Sequence, residues 1–331
     1  MAPRISGFTR ASSLGPIAEF MGRQGCSVSR VLKEIDLPLA LLEQPDLIIP
    51  LREQFRFLER AARRTGDPYF GARLGQVVRA PKLSAYGAWV CSADTLLDAI
   101  KRAQAGLHTM LQTSTFTKLG RHGKTARWSI EFVEPETEGR HHNEFLGISY
   151  QIDTIRAYAG RNWCPEVVLT SLPEGAPRAQ LEEIFRTNVS HGHSATTIVF
   201  DAALLNSQRL TNAKTGHKTP GSGSNLPDDI LSSVASVVEL ALYDGYPRID
   251  WVAAKLEVPR RSFQRLLEAH GSNFNHIVAE VIFSRAKMLL AADTTPITEI
   301  ALQLGYRDAA HFTRAFKRWA GVSPICFRNL Q

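Results

Sequence analysis

Two segments in the last third of the chain share the same spacing of small, apolar and aromatic residues. They occupy residues 251–271 and 297–321, and the second is one residue longer between its halves. In each, an alanine is followed three positions later by a leucine, two positions after that by an apolar residue, and then by a Phe-x-Arg triplet. This spacing predicts two helix-turn-helix units. The matched residues are Ala253, Leu256, Val258 and Phe263 in the first segment and Ala301, Leu304, Tyr306 and Phe312 in the second.

The residue types explain why each unit would fold this way. Alanine lets one short helix approach another closely, and Gly305 supplies the positive φ that often ends a helix. Val258 and Tyr306 are expected to fill the corner between the two helices of each unit. Phe263 and Phe312 would anchor the second helix from its inner side. The opposite side of each second helix is therefore expected to face solvent.

The outward side of both second helices is basic. An exposed helix with arginine and glutamine one turn apart suits a DNA major groove, because arginine can bridge guanine O6 and N7 and glutamine can bridge adenine N6 and N7. The alternative is that these residues are the solvated face of ordinary amphipathic helices, and two matched copies make that alternative weaker. The outward residues are Arg260, Arg261, Gln264 and Arg265 in the first unit and Ala310, His311, Arg314, Lys317 and Arg318 in the second.

The segment "FNHIVAEVIFSRAKMLLAAD" between the two units predicts one long helix. A helix of about 18 residues spans roughly 27 Å. Two units joined in this way could present their second helices to successive major grooves, about 34 Å apart, on modestly bent DNA.

The charge of the chain agrees with an acidic partner. The formal net charge is +7 over 331 residues, which favours nucleic acid or an anionic surface. Residues 250–331 contribute 11 lysines and arginines against 7 acidic residues, a net of +4. This excess is small, but it is concentrated on the two second helices, where it matters most.

The composition divides the chain near residue 220. Residues 211–227, "TNAKTGHKTPGSGSNLP", are typical of a flexible linker. Residues 1–210 combine helical spacing with a β-hairpin around "GRHGK" and β-rich runs in "PEVVLTS" and "TTIVF", which predicts an α+β domain. Residues 228–331 predict an all-α domain with two helix-turn-helix units joined by a long helix.

The C-terminal segment resembles the DNA-binding domain of AraC/XylS-type transcription regulators. The likeness covers about the last hundred residues, from "SFQRLLEAHGSNF" through "SRAKMLLA" and "ITEIALQLGYRDAAHFTRAFKRWAGVSP" to Phe327 and Arg328. The resemblance implies that the two units dock in adjacent major grooves. By position it implies base contacts from Arg261, Gln264, Arg265, Ala310, His311 and Arg314, and phosphate contacts from Arg260, Arg307, Lys317 and Arg318.

The second recognition helix departs from the family pattern at Ala309 and Ala310, where longer polar residues are often found. Base recognition by the second unit is therefore expected to be weaker or largely apolar, for example through a thymine methyl group.

The N-terminal segments "GDPYFGARLGQ" and "LSAYGAWVCSADTLLDAIKRA" resemble the effector-sensing domain of one branch of the same family. Their helix-first order argues against a cupin barrel. The resemblance implies a small-molecule effector, RNA polymerase and a second copy of the chain as partners, besides double-stranded DNA.

Arg52, Arg56 and Arg60 lie one above another on a predicted helix and could bind a carboxylate or phosphate effector. Arg79 and Lys82 follow later in the chain. The favoured alternative is a solvated face that Glu53 and Glu59 neutralise. Aromatic residues such as Trp89, Trp128 and Tyr150 could line a cavity, although most are expected in the core.

No metal or other cofactor is expected. Cys26, Cys91, Cys164 and Cys326 form no CxxC pair, and the adjacent His141 and His142 are interpreted as surface residues. Sparse cysteines and the lack of a signal peptide or a long apolar run favour a cytoplasmic protein without a membrane anchor.

Two other functions stay open at the level of the sequence. A DNA-binding module could be fused to an enzyme that acts on nucleotides or DNA, although no GxSxG, P-loop, GxGxxG or zinc-ligand pattern is present. Helix-turn-helix bundles could also bind protein. DNA binding that weakens steeply with salt separates a DNA-binding regulator from a protein-binding module.

Overall fold

The computed structural model describes residues 6–134, 137–210, 226–292 and 295–330. The chain divides into two compact units. One comprises residues 7–47 and 51–226, and the other comprises residues 227–331 together with the short segment Ile48–Pro50. Most of the predicted linker, residues 211–225, lies outside the described residues. Leu226 in its last part is described and is buried, and its N–H donates to the carbonyl of Thr109.

The first 210 residues begin with a short strand, continue mainly with helices and end with mixed helices and strands, as the α+β prediction requires. In chain order, the helices and strands of residues 6–210 are β1 (Phe8–Arg10), α1 (Ile17–Arg23), α2 (Val28–Glu34), β2 (Ile48–Pro50), α3 (Leu51–Thr65), α4 (Phe70–Val77), α5 (Ala80–Leu83), α6 (Ala85–Cys91), α7 (Leu96–Gly106), β3 (Thr115–His122), β4 (Thr125–Phe132), α8 (Arg140–Ala159), β5 (Val167–Leu169), α9 (Ala179–Phe185), β6 (Asn188–Ser190) and β7 (Thr196–Asp201).

One five-stranded sheet organises this unit, with the strand order β3-β4-β7-β5-β6. The predicted hairpin is confirmed, because β3 pairs antiparallel with β4 from Thr115–Phe132 to His122–Thr125. β7 pairs antiparallel with both β4 and β5, and β5 pairs parallel with β6. The two β-rich runs of the sequence are therefore β5 and β7.

The long helix α8 joins the sheet to the preceding helices. Phe145 and Ile152 on α8 are buried in one apolar core with Trp128 and Ile198 of the sheet. Helix α4 packs against α8 so closely that a Cβ on Gly71 would overlap the backbone carbonyl of His142. The close approach of the two helices therefore requires glycine at this position.

The described residues from 227 onward form helices and no strand, which confirms the predicted all-α region. The long helix predicted between the two units is present as a single helix of 19 residues. The helices are α10 (Ile230–Ala241), α11 (Ile249–Lys255), α12 (Arg260–Ala269), α13 (Phe274–Ala292), α14 (Ile297–Gln303), α15 (Ala309–Ala320) and α16 (Pro324–Asn329).

Helices α11 and α12 form the first helix-turn-helix unit, and α14 and α15 form the second. The predicted anchors Phe263 on α12 and Phe312 on α15 are both fully buried. Val258 is buried at the first turn, and Tyr306 is half-buried at the second, where its ring lies 5.6 Å from that of Phe312. Burying each such side chain stabilises the unit by about 1.5–3 kcal/mol.

The aromatic residues near the C-terminus form one cluster around Phe316. The ring of Phe316 lies 5.5 Å from Phe283 on α13, 5.7 Å from Phe312 and 5.4 Å from Phe327 on α16. Trp319 packs against Phe283 at 5.9 Å. The cluster ties α15 to the long helix and to α16, so its aromatic face is committed to packing.

The turns of the two units have the same left-handed backbone but different residues. Gly305 has a φ of +78° and Glu257, at the matched position, a φ of +55°. A Cβ on Gly305 would lie 2.6 Å from the backbone nitrogen of Tyr246. Glutamate is tolerated in the first turn at some cost in backbone strain, whereas the second turn also requires the small volume of glycine.

We expect Gly305→Ala to lower the free energy of unfolding of the C-terminal unit by about 2 kcal/mol, because alanine meets both a left-handed φ and a backbone clash. Glu257→Gly is the matched control and should stabilise the unit slightly by relieving strain. Urea unfolding of the full chain, followed by far-ultraviolet circular dichroism, measures both. Equal midpoints for Gly305→Ala and the parent chain would contradict the clash.

Candidate functional site

The outward side of α12 carries the polar residues predicted from the first repeat. Phe263, Leu266 and Leu267 are buried, so the positions between them face solvent. Within the described part of the chain, the side chains of Arg261, Gln264 and Arg265 have no hydrogen-bonding or ion-pair partner. All four predicted residues of this helix are exposed, namely Arg260, Arg261, Gln264 and Arg265.

Arg260 differs from its neighbours because it is held by the preceding helix. Its NH1 lies 2.9 Å from both carboxylate oxygens of Asp250 on α11. Both side chains are more than half exposed, so the pair contributes little to stability. The pair does neutralise part of the positive charge at the start of α12.

Helix α15 begins at an aspartate that also holds His311, one of the residues predicted to contact DNA. Asp308 is the N-cap, and its carboxylate accepts the backbone N–H of His311 at 2.8 Å. The other carboxylate oxygen lies 2.6 Å from Nδ1 of the His311 ring. Hydrogen bonds from the backbone and ring of His311 lower the pKa of Asp308. Nδ1 is thereby occupied, and Nε2 is the ring nitrogen available to an external partner.

The rest of the outward side of α15 is basic. Arg314 is exposed on the same side as His311, and Arg307 is exposed in the turn before the helix. Lys317 and Arg318 are exposed in the last turn, where cations also interact favourably with the helix dipole. Ala310 is exposed and can offer only a methyl group.

On α12 and on α15, the residues predicted to contact DNA therefore lie on one exposed side of the helix. The three long side chains of α12 can each form paired hydrogen bonds to purine edges, whereas α15 offers His311 and Arg314 beside the methyl group of Ala310. Asp250 and Asp308 were missed by the sequence interpretation. The aspartate three residues before His311 was a recognisable N-cap signal, but the contact between Asp250 and Arg260 depends on how α11 and α12 pack.

Comparison with known families agrees with this geometry. Residues 25–208 match the model of the arabinose-binding domain of AraC transcription regulator, N-terminal, and residues 252–330 match a helix-turn-helix domain. The first match alone spans more than half of the chain. The chain belongs to the AraC family of transcription regulators. Like other members of this family it is a DNA-binding transcription regulator, and its N-terminal domain is not of the cupin type.

Several AraC-type relatives resemble the chain over different lengths. The HTH-type transcriptional regulator VirS of Mycobacterium tuberculosis is 22% identical over 336 residues, which cover 98% of this chain and 97% of VirS. The ornithine utilization regulator of Pseudomonas aeruginosa is 33% identical over 105 residues, which cover 32% and 31% of the two chains. The crystal structure of CdpR from Pseudomonas aeruginosa aligns with a TM-score of 0.38 at 21% identity, covering 78% of this chain and 86% of CdpR. The matching families and relatives are regulators and not enzymes.

The N-terminal unit contains a partly open cavity of about 80 Å³. Two of the three aromatic residues singled out in the sequence, Trp128 and Tyr150, line it, and Trp89 is half-buried elsewhere. The other lining residues are apolar or neutral, and none of the lining side chains is charged. They include Leu83, Val90, Leu107, Leu111, Ile130 and Leu146 together with Gln54, Thr117, Asn143 and Gln151.

The three stacked arginines of α3 do not line this cavity. Nε of Arg52 lies 2.9 Å from the carboxylate of Glu134, and NH1 of Arg56 lies 2.6 Å from that of Glu53. Both carboxylates are buried, with exposed fractions of 7% and 1%. Arg60 is half-buried on the same helix. Arg56 pairs with Glu53, as the favoured alternative expected, but Glu53 is buried and is not part of a solvated face. Glu59 pairs with Arg63, and the partner of Arg52 is Glu134 from outside the helix.

The expectation that His141 and His142 are surface residues is wrong for His142. Helix α8 begins before both residues, and His142 is buried against Gly71, whose N–H lies 3.4 Å from Nδ1. Burial lowers the pKa of His142 to about 3, with a smaller contribution from His141. Nε2 lies 3.6 Å from the carboxylate of Glu59. One potential metal ligand atom from each of Glu59, His141 and His142 lies within 4.8 Å of the others, and the absence of a metal stays an expectation.

Burial also raises the pKa of the Cys91 thiol to about 12, so this cysteine is protonated near neutral pH and is a poor nucleophile. In the described part of the chain, no helix has both the length and the apolar character that a membrane crossing demands.

We expect Asp250→Asn to raise the affinity of the chain for random duplex DNA about two- to threefold at low salt, because Arg260 is no longer neutralised. Asp228→Asn removes the same charge from an exposed position before α10 and is the matched control. Fluorescence anisotropy with a labelled duplex measures both affinities. An equal gain in the two variants would show that net charge, and not the release of Arg260, causes the change.

Proposed function

We propose that this AraC-type regulator recognises its DNA site through α12 and α15 under the control of a small molecule bound in the N-terminal unit. The observation that carries the proposal is the exposure of the same side of both helices, with arginines on each that have no partner among the described residues. Elsewhere in the chain many arginines are held in ion pairs, such as Arg52 with Glu134 and Arg140 with Glu144. Available guanidinium groups on two equivalent helices support a role in binding an external anion.

We assign the principal base contacts to α12. Arg261, Gln264 and Arg265 lie within one helical turn, and each can form two hydrogen bonds to a purine edge. On α15, His311 and Arg314 supply the polar base contacts, and Ala310 packs against a thymine methyl group. The two units therefore contribute unequally to sequence preference.

We assign phosphate contacts to Arg260, Arg307, Lys317 and Arg318. Lys317 and Arg318 are a turn or more beyond His311 along α15 and lie farther from a helix start that enters the groove. Arg260 can reach a phosphate once its ion pair with Asp250 is broken. Such contacts strengthen binding to every sequence and make it sensitive to salt.

The wider arrangement follows the resemblance. Residues 1–210 would sense the effector and form a homodimer, residues 211–227 would link the domains, and residues 228–331 would bind DNA and contact RNA polymerase, in the cytoplasm. We place the effector in the cavity of the N-terminal unit and not at Arg52, Arg56 and Arg60, because two of these arginines are engaged with buried carboxylates. A protein-binding role for the helix-turn-helix units is the second candidate, and the DNA experiment below separates the two.

The deciding experiment selects genomic fragments that the purified full chain retains and then measures affinity against salt concentration. A DNA-binding regulator should enrich a common sequence and show a steep negative slope of log affinity against log salt. Random enrichment with a flat salt response would leave the protein-binding candidate.

Arg265→Ala should lower affinity for the selected site by about 1–3 kcal/mol and relax the preference at one base pair, if this residue bridges guanine. Arg265→Lys is the matched control, because lysine keeps the charge but loses the two-pronged hydrogen bond. It should lose base preference and retain the salt slope. An equal loss for specific and random DNA in Arg265→Ala would assign Arg265 to the phosphates instead.

Lys317→Ala should weaken binding to specific and random DNA by the same factor and reduce the salt slope by about one. Lys124→Ala removes an exposed lysine from the β3–β4 turn of the N-terminal unit and should leave both quantities unchanged. Binding titrations at four or more salt concentrations give the slopes. A loss confined to the selected site would contradict the phosphate assignment.

Limited proteolysis tests the proposed domain boundaries. Cleavage between residues 211 and 227 should leave two protease-resistant fragments, because a segment of this composition has few apolar side chains to bury. Mass spectrometry identifies the sites. A single resistant core that retains the segment would contradict the proposed linker.

A further inference from the structure

Helix α5 separates two concave regions of the N-terminal unit. Ala80 and Leu83, three residues apart, line the apolar cavity described above. Arg79 and Lys82, also three residues apart, line an open cleft. The short sequence from Arg79 to Leu83 therefore presents an apolar side inward and a basic side outward.

The cavity and the cleft are neighbours. Leu83 and Tyr150 line both of them, so these two side chains form the boundary between the regions. The Tyr150 hydroxyl lies 3.4 Å from the carbonyl oxygen of Ser13, which it can reach as a donor. Burial raises the pKa of Tyr150, so the boundary is neutral at physiological pH.

The inner cavity suits an uncharged and largely apolar group. Its volume of about 80 Å³ corresponds to roughly half a dozen atoms, since one water molecule requires about 10–15 Å³ of free space. Its lining includes no charged side chain, so an ion placed there would lose hydration without gaining an opposite charge. A charged head group must therefore stay outside.

The outer cleft suits an anion. Its volume is about 630 Å³, and its charged lining residues are Arg23, Arg79 and Lys82 against a single carboxylate, Glu19. Glu19 lies 3.4 Å from Arg23, and Asp153 lies 3.9 Å from Arg79. Lys82 makes no ion pair with any described residue and is exposed. Of the three cations that line the cleft, Lys82 is therefore the one most available to pair with a ligand.

We propose that the effector is a small amphiphilic carboxylate, with its apolar chain in the inner cavity beyond Leu83 and Tyr150 and its carboxylate beside Lys82 in the outer cleft. This inference rests on the proposed effector control, and it names the chemistry of the effector. The observation that supports both parts in one molecule is the adjacency of a neutral apolar cavity and a basic cleft across two side chains.

Isothermal titration calorimetry of the full chain with hexanoate tests the proposal. Hexanoate should bind, whereas acetate, which lacks the chain, and hexylamine, which reverses the charge, should not bind measurably. Hexan-1-ol should bind at least severalfold more weakly than hexanoate at low ionic strength, because it cannot pair with Lys82.

Lys82→Gln should weaken hexanoate binding roughly fivefold and leave hexan-1-ol binding unchanged, because an exposed ion pair is worth at most about 1 kcal/mol. Lys33→Gln, which neutralises an exposed lysine on α2, is the matched control and should change neither. Lys82 takes part in no packing of the apolar core, so the variant should stay folded, and circular dichroism checks this.

Equal binding of hexanoate and hexan-1-ol, or an unchanged hexanoate affinity in Lys82→Gln, would overturn the role of the cleft. No binding of any six-carbon ligand would overturn the whole inference. DNA affinity of the same preparations is measured in parallel without ligand. If the chain binds DNA but none of these ligands, the amphiphilic effector is rejected and the proposed DNA recognition stands. If the chain does not bind DNA at all, the proposed function is contradicted.

Discussion

The burial of one phenylalanine on the inner side of each recognition helix is the interaction on which the DNA-binding unit depends. Phe263 and Phe312 are fully buried, and with the helical period fixed, their burial decides which side chains point outward. In α15 the same side continues through Phe316 into the aromatic cluster with α13 and α16. The aromatic residues hold the helix in place, and the basic residues between them are left for a partner.

The two units treat positive charge differently. In the N-terminal unit, arginines such as Arg52 and Arg56 compensate carboxylates that the fold has buried, so removing the arginine would leave an uncompensated charge. On α12 and α15, Arg261, Arg265 and Arg314 form no ion pair with a carboxylate among the described residues. The same residue type therefore serves the fold on α3 and is available for binding on α12 and α15. The difference lies in whether a carboxylate is buried nearby.

The two helix-turn-helix units are similar in backbone and different in chemistry. Both turns pass through a left-handed residue, Glu257 in one and Gly305 in the other, and both second helices expose the equivalent side. Yet α12 begins with arginines, while α15 begins with two alanines and a histidine held by Asp308. A shared packing pattern thus leaves the exposed residues free to diverge, since they do not contribute to the core.

Spacing along the chain was enough to predict the helix-turn-helix units, the long α13, the β3–β4 hairpin and the exposed basic sides of α12 and α15, because these depend on local periodicity and on which residues can be buried. The order of the sheet, the burial of His142 and the partners of Arg52 and Arg260 could not be predicted, because each depends on residues brought together from distant or separately packed elements. The same holds for the cavity and the cleft on the two sides of α5. The residues from Arg79 to Leu83 are adjacent in the sequence, but only the packing of α8, which places Tyr150 beside Leu83, puts an apolar cavity on one side of them and a basic cleft on the other.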